Sequence, residues 1–353
     1  MRYDMAALRL SAPRENILKR IAAANTSLGM WRYADVLPAV EPVTLGEGFT
    51  PMLRSRRYPG LFLKEVASQR RGFSMAVSMA RHYGLKNLAL ASAGNAAGAL
   101  AAYAAAAQIA AYVFMPRDVP QASYLEAVAY GANVTLVEGS ISDCARTIAE
   151  RKDAEGWFDV SCLKEPFRLE GEKTMGYELV EQSGWRYPDA VLFPAGTGLI
   201  GMWKAFEEME ALGWVSGKRP KMIAVQSSGS APMDELIDEL ILDVVRQSDG
   251  RTLDLKDGQI QASLLDWARH EGLLLSPEGA IATAAYDHLI ACGWLSPEEK
   301  VVIFNTGAGL KYADVIATAM QLESPSAAMG VEKDHRGVTL PPRYRVGGII
   351  TPQ

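Results

Sequence analysis

Short apolar runs alternate with longer amphipathic stretches along most of the chain. The short runs are rich in β-branched residues and predict buried strands, whereas the stretches between them carry the helical period and predict helices. The predicted strands are Leu61–Lys64, Asn87–Ser92, Ala110–Met115, Asn133–Val137, Trp157–Val160, Ala190–Phe193, Met222–Gln226 and Val301–Asn305. The predicted helices are Phe73–Tyr83, Ala97–Ala107, Ser123–Tyr130, Ile141–Lys152, Thr174–Ser183 and Gly198–Leu212. This alternation predicts an α/β fold with mostly parallel sheets and crossover helices.

Three glycine-rich turns follow predicted strands, at Ser92–Gly98, Pro194–Gly198 and Asn305–Lys311. Ligands of parallel sheets bind at the carboxyl ends of the strands, where the amides of helix N-termini suit an anion. Each turn alone also fits a plain strand-to-helix connection. Three such turns together predict a single ligand site.

Composition limits the classes of partner. A chain of 353 residues with 49% hydrophobic residues has room for two packed lobes, and its net charge of −5 gives no basic surface for nucleic acid. No run is long and apolar enough to span a membrane, and no signal peptide is evident, so we expect a cytoplasmic protein. Cys144, Cys162 and Cys292 lack the spacing of zinc ligands, and we expect no metal site.

Five segments resemble, in the same order, the motifs of threonine synthases, which are pyridoxal-phosphate (PLP) enzymes of fold type II. They are Leu45–Pro51 (LGEGFTP), Ser92–Gly98 (SAGNAAG), Lys164–Gly171 (KEPFRLEG), Ser276–Ala280 (SPEGA) and Asn305–Lys311 (NTGAGLK). The resemblance implies two lobes, each with a mostly parallel sheet flanked by helices. It implies a large domain of residues 1–80 and 172–353, with a tail from about residue 323, a small domain of residues 81–171, and a homodimer.

The resemblance also implies roles for individual residues. Asn95 would bind the phenolic oxygen of PLP, Thr306 would face the pyridine nitrogen, and the turn of Gly196, Thr197 and Gly198 would hold the phosphate. Ser92, Gly94, Asn95 and Arg168 would lie near the carboxylate or phosphate of a substrate, with Ser92 also a catalytic candidate. PLP would serve as the electron sink of a lyase.

The chain departs from the family pattern where the cofactor lysine is expected. That lysine lies in an NPTGSFKxRG loop between the strand at Leu61–Lys64 and the helix at Phe73–Tyr83, and the corresponding residues are absent here. Lys64 is the remaining catalytic candidate, because burial can make a lysine amine nucleophilic. Arg70 and Arg71 would place two cations at the mouth of the pocket, suited to an anionic substrate.

Three hypotheses remain open. In the first, the protein binds or transforms a small anionic amino acid or phosphorylated metabolite, and PLP is not covalently bound, or not bound at all. In the second, it is a PLP-dependent threonine synthase that acts on O-phosphohomoserine, with loops missing from this sequence. In the third, it is a non-catalytic regulatory paralogue. Kinship of fold does not choose among them.

Overall fold

A computed structural model describes residues 29–66, 70–229 and 235–321, together with Glu15. Its strands are Met52–Arg54 (β1), Leu61–Glu65 (β2), Asn87–Ala91 (β3), Ala110–Pro116 (β4), Asn133–Val137 (β5), Phe158–Asp159 (β6), Ala190–Pro194 (β7), Lys221–Ser227 (β8), Arg251–Leu255 (β9) and Val301–Asn305 (β10). Its α-helices are Arg70–His82 (α1), Asn95–Ala107 (α2), Gln121–Ala129 (α3), Ile141–Glu155 (α4), Phe167–Gln182 (α5), Thr197–Ala211 (α6), Glu235–Gln247 (α7), Asp257–His270 (α8), Pro277–Ala291 (α9) and Ala313–Ala319 (α10). Two 3-10 helices lie at Gly29–Val36 and Gly309–Tyr312.

The larger sheet has the strand order β1-β2-β10-β7-β8-β9. Only the edge strand β1 pairs in the antiparallel direction, with β2, and all the other pairings are parallel. Every residue of β10 is buried, as expected for a central strand that is covered on both faces. Val302 and Phe304 pack into one hydrophobic cluster, and Val301 and Ile303 pack into another, so the sheet separates two cores.

The smaller sheet has the strand order β5-β4-β3-β6 and is parallel throughout. Its core includes the buried face of the alanine-rich helix α2, together with Phe73 and Val77 of α1. The small side chains of α2 let neighbouring helices approach closely. A Cβ at Gly98 would lie 2.0 Å from Oε2 of Glu126 on α3, so a larger residue there would force the Glu126 side chain to move.

The predicted α/β fold with parallel sheets and flanking helices is confirmed. Strands β5 and β10 have the predicted bounds, and the other predicted strands differ only at their ends. The edge strands β1 and β9 were not predicted, because exposed residues interrupt their apolar pattern. Helix α5 begins at Phe167 rather than at Thr174, because its first turns bury charged side chains that conceal the apolar period.

The domain boundaries stay a prediction. In agreement with their order along the chain, β3 to β6 form the smaller sheet, and the strands before and after them form the larger one. The expected tail from about residue 323 lies outside the described residues. Within residues 29–66, 70–229 and 235–321, no helix is both long enough and apolar enough to cross a membrane.

Candidate active site

A cavity of about 900 Å³ lies between the two sheets. One side is formed by the residues that follow β3, from Ser92 to Ala96, and another by the turn that follows β7, from Ala195 to Gly198. Thr306, directly after β10, also lines it. The three glycine-rich turns of the sequence therefore contribute to one cavity, as the parallel topology requires.

The first turn connects β3 to α2 through Ser92 and Gly94. The Ser92 hydroxyl accepts a hydrogen bond from the Gly94 amide at 3.2 Å and fixes the turn, and α2 begins at Asn95. A Cβ at Gly94 would meet no atom within 4 Å, so the space beside the turn is open. Ser92 itself is buried and still lines the cavity.

The second turn connects β7 to α6 and points helix amides at the cavity. Gly196 precedes the first residue of α6, Thr197, and a Cβ at Gly196 would meet only the Pro194 carbonyl oxygen, at 3.7 Å. The free N–H groups of a helix N-terminus and its positive dipole favour an anion at such a position. Gly198 serves packing instead, since a Cβ there would lie 2.5 Å from the Phe193 ring.

A carboxyl group stands next to this turn. Glu172 of α5 is buried and lines the cavity, and the Thr197 hydroxyl hydrogen-bonds to its side chain. Burial raises the pKa of Glu172, partly opposed by the charge of Arg168. Glu172 therefore adds a carboxyl group beside the amides of the second turn.

The third turn links the larger sheet to the smaller one. Lys311, at the end of the turn, places Nζ 3.0 Å from Oδ1 of Asn95 and 2.5 Å from Oε2 of Glu126. The asparagine that was expected to contact a ring oxygen thus already accepts a hydrogen bond from a lysine. This contact joins the third turn to helices α2 and α3.

Lys64 belongs to a buried charged cluster with Glu178 and Arg71. It is fully buried on β2, pairs with Glu178 of α5, and donates to the carbonyl oxygen of Thr50. Alternation along the strand explains this direction, because Leu61 and Leu63 face one core and Lys64 faces the other side with Phe62. Burial lowers the pKa of Lys64 to about 8, although the charge of Glu178 opposes the shift.

Glu178 is the shared anion of this cluster. Its Oε2 also lies 2.7 Å from Nη1 of Arg71, and it accepts hydrogen bonds from the amides of Phe49 and Thr50 at 2.7 Å and 2.8 Å. Although burial opposes ionisation, Arg71 and Lys64 hold the pKa of Glu178 at about 2. The cluster is thus two cations around one carboxylate.

Arg168 lies at the start of α5, where the small sheet meets the cavity. Its side chain is buried and lines the cavity, its guanidinium stacks over the Phe73 ring at 4.5 Å, and Nη1 donates to the Val160 carbonyl at 3.2 Å. The same Nη1 lies 3.7 Å from Sγ of Cys162. The neighbouring Glu165 accepts hydrogen bonds from the amides of Phe167 and Arg168, and burial raises its pKa to about 7.

Most of the predicted site residues share the cavity. The residues that line it are Ser92, Gly94, Asn95, Gly196, Thr197, Gly198, Thr306, Arg71 and Arg168. Lys64 and Arg70 are not among the lining residues, and the catalytic role of Lys64 and Ser92 stays a prediction.

Sequence reasoning missed Cys162, Glu172 and Glu178. All three lie within seven residues of the motif Lys164–Gly171, and for Glu172 and Glu178 the density of charges after Phe167 was the available signal. Among residues 29–66, 70–229 and 235–321, no cluster of three or more His, Cys, Asp or Glu side chains could hold a metal ion.

Comparison with known proteins identifies the family of this chain. The family model described as "Pyridoxal-phosphate dependent enzyme" matches residues 43–307. The chain belongs to this family. Within it, the chain is 31% identical over 331 residues to a threonine synthase of Mycobacterium bovis, covering 83% of this chain and 91% of that protein. It is 29% identical to a threonine synthase of Methanosarcina acetivorans, covering 80% of each chain. The resemblance to threonine synthases is thereby confirmed.

Solved structures show the same fold at low identity. O-ureido-L-serine synthase superposes with a TM-score of 0.65 at 17% identity and covers 83% of this chain and 99% of that chain. Threonine deaminase isoform 2 from Solanum lycopersicum superposes with a TM-score of 0.59 at 18% identity. This match covers 75% of this chain and 86% of that chain. The chain therefore has the fold of type-II PLP enzymes.

The residues of the cavity fit one part of PLP and not another. The open turns at Gly94 and Gly196 leave room for a flat ring and a phosphate, with helix amides beside the second turn. No lysine is among the described residues that line the cavity, and the sequence has none between Lys64 and Lys86. The described residues fit the phosphate and the ring, but they do not place an amine on the cavity wall for a covalent bond.

Proposed function

We propose that this protein binds a small anionic amino acid or phosphorylated metabolite in the cavity between its sheets, without a covalent bond between PLP and a lysine. Membership of the PLP-enzyme family supports the location of the site and the class of ligand. Transformation of that ligand belongs to the same proposal. A homodimer and a cytoplasmic location stay predictions.

One observation carries the proposal: the anion-binding groups face the cavity, while Lys64 does not. The amides at the start of α6, together with Arg71 and Arg168, line the cavity. Lys64 is instead buried in its ion pair with Glu178. Such an arrangement favours an anion held by hydrogen bonds and charge, because helix N-termini and guanidinium groups both recognise phosphate and carboxylate.

The curated relatives favour a second candidate. They are named threonine synthases, and the match extends over most of the chain. In that case the protein is a lyase that uses PLP and acts on O-phosphohomoserine, and PLP, when bound, supplies an electron sink. Release of inorganic phosphate from O-phosphohomoserine in the presence of PLP, at turnover rates, would favour this candidate over the first.

Calorimetric titration with inorganic phosphate tests the first proposal. We expect wild-type protein to bind phosphate, and the Gly196→Val variant to bind it about tenfold more weakly, a loss of about 1.4 kcal/mol, because its methyl groups fill the space before the α6 amides. The open surroundings of Gly196 allow the variant to fold.

Gly258→Ala is the control, since a Cβ at Gly258 meets no atom within 4 Å and this glycine is not among the residues that line the cavity. Its phosphate affinity should equal that of the wild type. Equal affinity in all three proteins, or no binding in the wild type, would contradict the proposed anion site.

A further inference from the structure

Cys162 differs from the other two cysteines in its surroundings. It follows β6, is exposed, and lines the cavity. Cys144 is buried in a small hydrophobic cluster, and Cys292 is exposed after α9 but is not among the residues that line the cavity. Cys162 is thus the cysteine of the described residues that a ligand in the cavity would meet.

A fixed cation stands beside the Cys162 thiol. Nη1 of Arg168 lies 3.7 Å from Sγ, and the stacking on Phe73 together with the hydrogen bond to the Val160 carbonyl holds the guanidinium in place. Reactive thiols in proteins occur in electropositive, accessible surroundings of this kind, whereas buried structural thiols are inert.

A second guanidinium in the same cavity has an unused donor. The side chain of Arg71 is 4% exposed, and Nη1 contacts Glu178, whereas Nη2 is buried and has no hydrogen-bond partner among the described residues. A buried N–H without an acceptor costs free energy, so an incoming carboxylate that accepts this hydrogen bond gains affinity. Arg71 lines the cavity and points to a ligand independently of the cysteine.

We propose that Cys162 is a nucleophile of this cavity toward small carboxylates that carry an electrophilic carbon. Arg71 and Arg168 attract the carboxylate, and the sulfur attacks the carbon. With iodoacetate, an S–C bond forms, the C–I bond breaks, iodide leaves with the electron pair, and the thiol proton passes to solvent. This inference rests on the proposed function, because the carboxylate must enter the same cavity.

The test compares two alkylating agents of similar size, iodoacetate and neutral iodoacetamide, on the native full-length protein. Peptide mass spectrometry follows the labelling of Cys162 and Cys292 in the same sample. We expect the rate ratio of iodoacetate to iodoacetamide to be about tenfold higher at Cys162 than at Cys292, because the guanidinium groups of Arg71 and Arg168 attract the carboxylate of iodoacetate and not the neutral amide. The same ratio at both cysteines overturns the proposal.

Two variants sharpen the comparison. Arg71→Gln should lower the ratio at Cys162 and leave Cys292 unchanged, and Cys292→Ser should leave the ratio at Cys162 unchanged. If Arg71→Gln does not fold, the comparison within the wild type still decides. An anion preference at Cys162 that survives in folded Arg71→Gln would assign the effect to Arg168 alone and overturn the role of Arg71.

Phosphate separates this inference from the proposed function. Inorganic phosphate should slow the labelling of Cys162 and not that of Cys292. Calorimetric phosphate binding with equal ratios at the two cysteines would overturn the nucleophile and leave the anion site standing. An anion preference at Cys162 without any phosphate binding would contradict the proposed phosphate site and support the nucleophile.

Discussion

Two regions at and beside the cavity differ in how closely they follow the motifs of the family. The glycine turns, Ser92–Gly98 and Pro194–Gly198, are backbone structures at the ends of parallel strands, and they line the cavity as the motifs imply. The charged cluster of Lys64, Arg71 and Glu178 lies beside the segment between β2 and α1, where the family motif predicts the cofactor lysine, and Lys64 itself is turned into the core. A glycine turn that binds an anion through its backbone amides depends on the fold alone. A covalent bond to a cofactor also requires one lysine side chain to point into the cavity.

Glu178→Gln should give the largest effect, because it removes the one carboxylate that Lys64 and Arg71 share. We expect a loss of about 3–5 kcal/mol in the free energy of unfolding, since breaking a buried ion pair leaves uncompensated charge in the core. Urea denaturation measures it. A loss below about 1 kcal/mol, the size typical of an exposed pair, would mean that the charged cluster is not the buried unit described here.

Glu155→Gln is the control for this change. Glu155 pairs with Arg151 across one helical turn at 2.7 Å, and both side chains are about half exposed. Its removal should cost about 0–1 kcal/mol.

Glu165→Gln should change how stability depends on pH. Burial raises the folded-state pKa of Glu165 to about 7, above its ordinary value of 4.5. Between these values the folded state keeps a proton that the unfolded state has lost, so stability falls as the pH rises through this window. The wild type should therefore lose more of its urea midpoint between pH 4.5 and 7 than the variant loses. Parallel pH profiles would contradict the assignment.

Lys311→Met probes the glycine turns and should have the smallest effect. The ammonium of Lys311 contacts Asn95 and Glu126 from a side chain that is 18% exposed. We expect a loss of about 1 kcal/mol or less in the free energy of unfolding, as for other partly exposed pairs. Thermal or urea unfolding measures it, and a loss as large as that of Glu178→Gln would remove the contrast between the two regions.

The fold was predictable from local sequence patterns, whereas the site was predictable only in part. Central strands such as β10 carry unbroken apolar runs, so their bounds are readable, whereas the edge strand β9 exposes most of its residues. Glycine turns are predictable because few residues fit a strand-to-helix connection beside a ligand. The direction of the Lys64 side chain was not predictable, because it depends on Glu178. That residue is far away in the sequence, and no local pattern connects it with Lys64.

A second set of buried ion pairs explains why α5 was predicted too short. Arg168, Glu170, Glu172 and Lys173 are buried between other helices, where their charges pair with one another and with Lys204 and Glu208. Sequence patterns treat such residues as solvent-facing, because charged side chains are seldom buried unless they are paired.

Borohydride reduction of the protein in the presence of PLP, followed by peptide mapping, tests the central claim that no lysine of the described part of the chain lines the cavity and binds the cofactor covalently. We predict no phosphopyridoxyl lysine in stoichiometric amount, and only trace labelling of exposed lysines that inorganic phosphate does not prevent. A one-to-one adduct on Lys64 or Lys311, formed together with a yellow aldimine band and blocked by phosphate, would contradict the account.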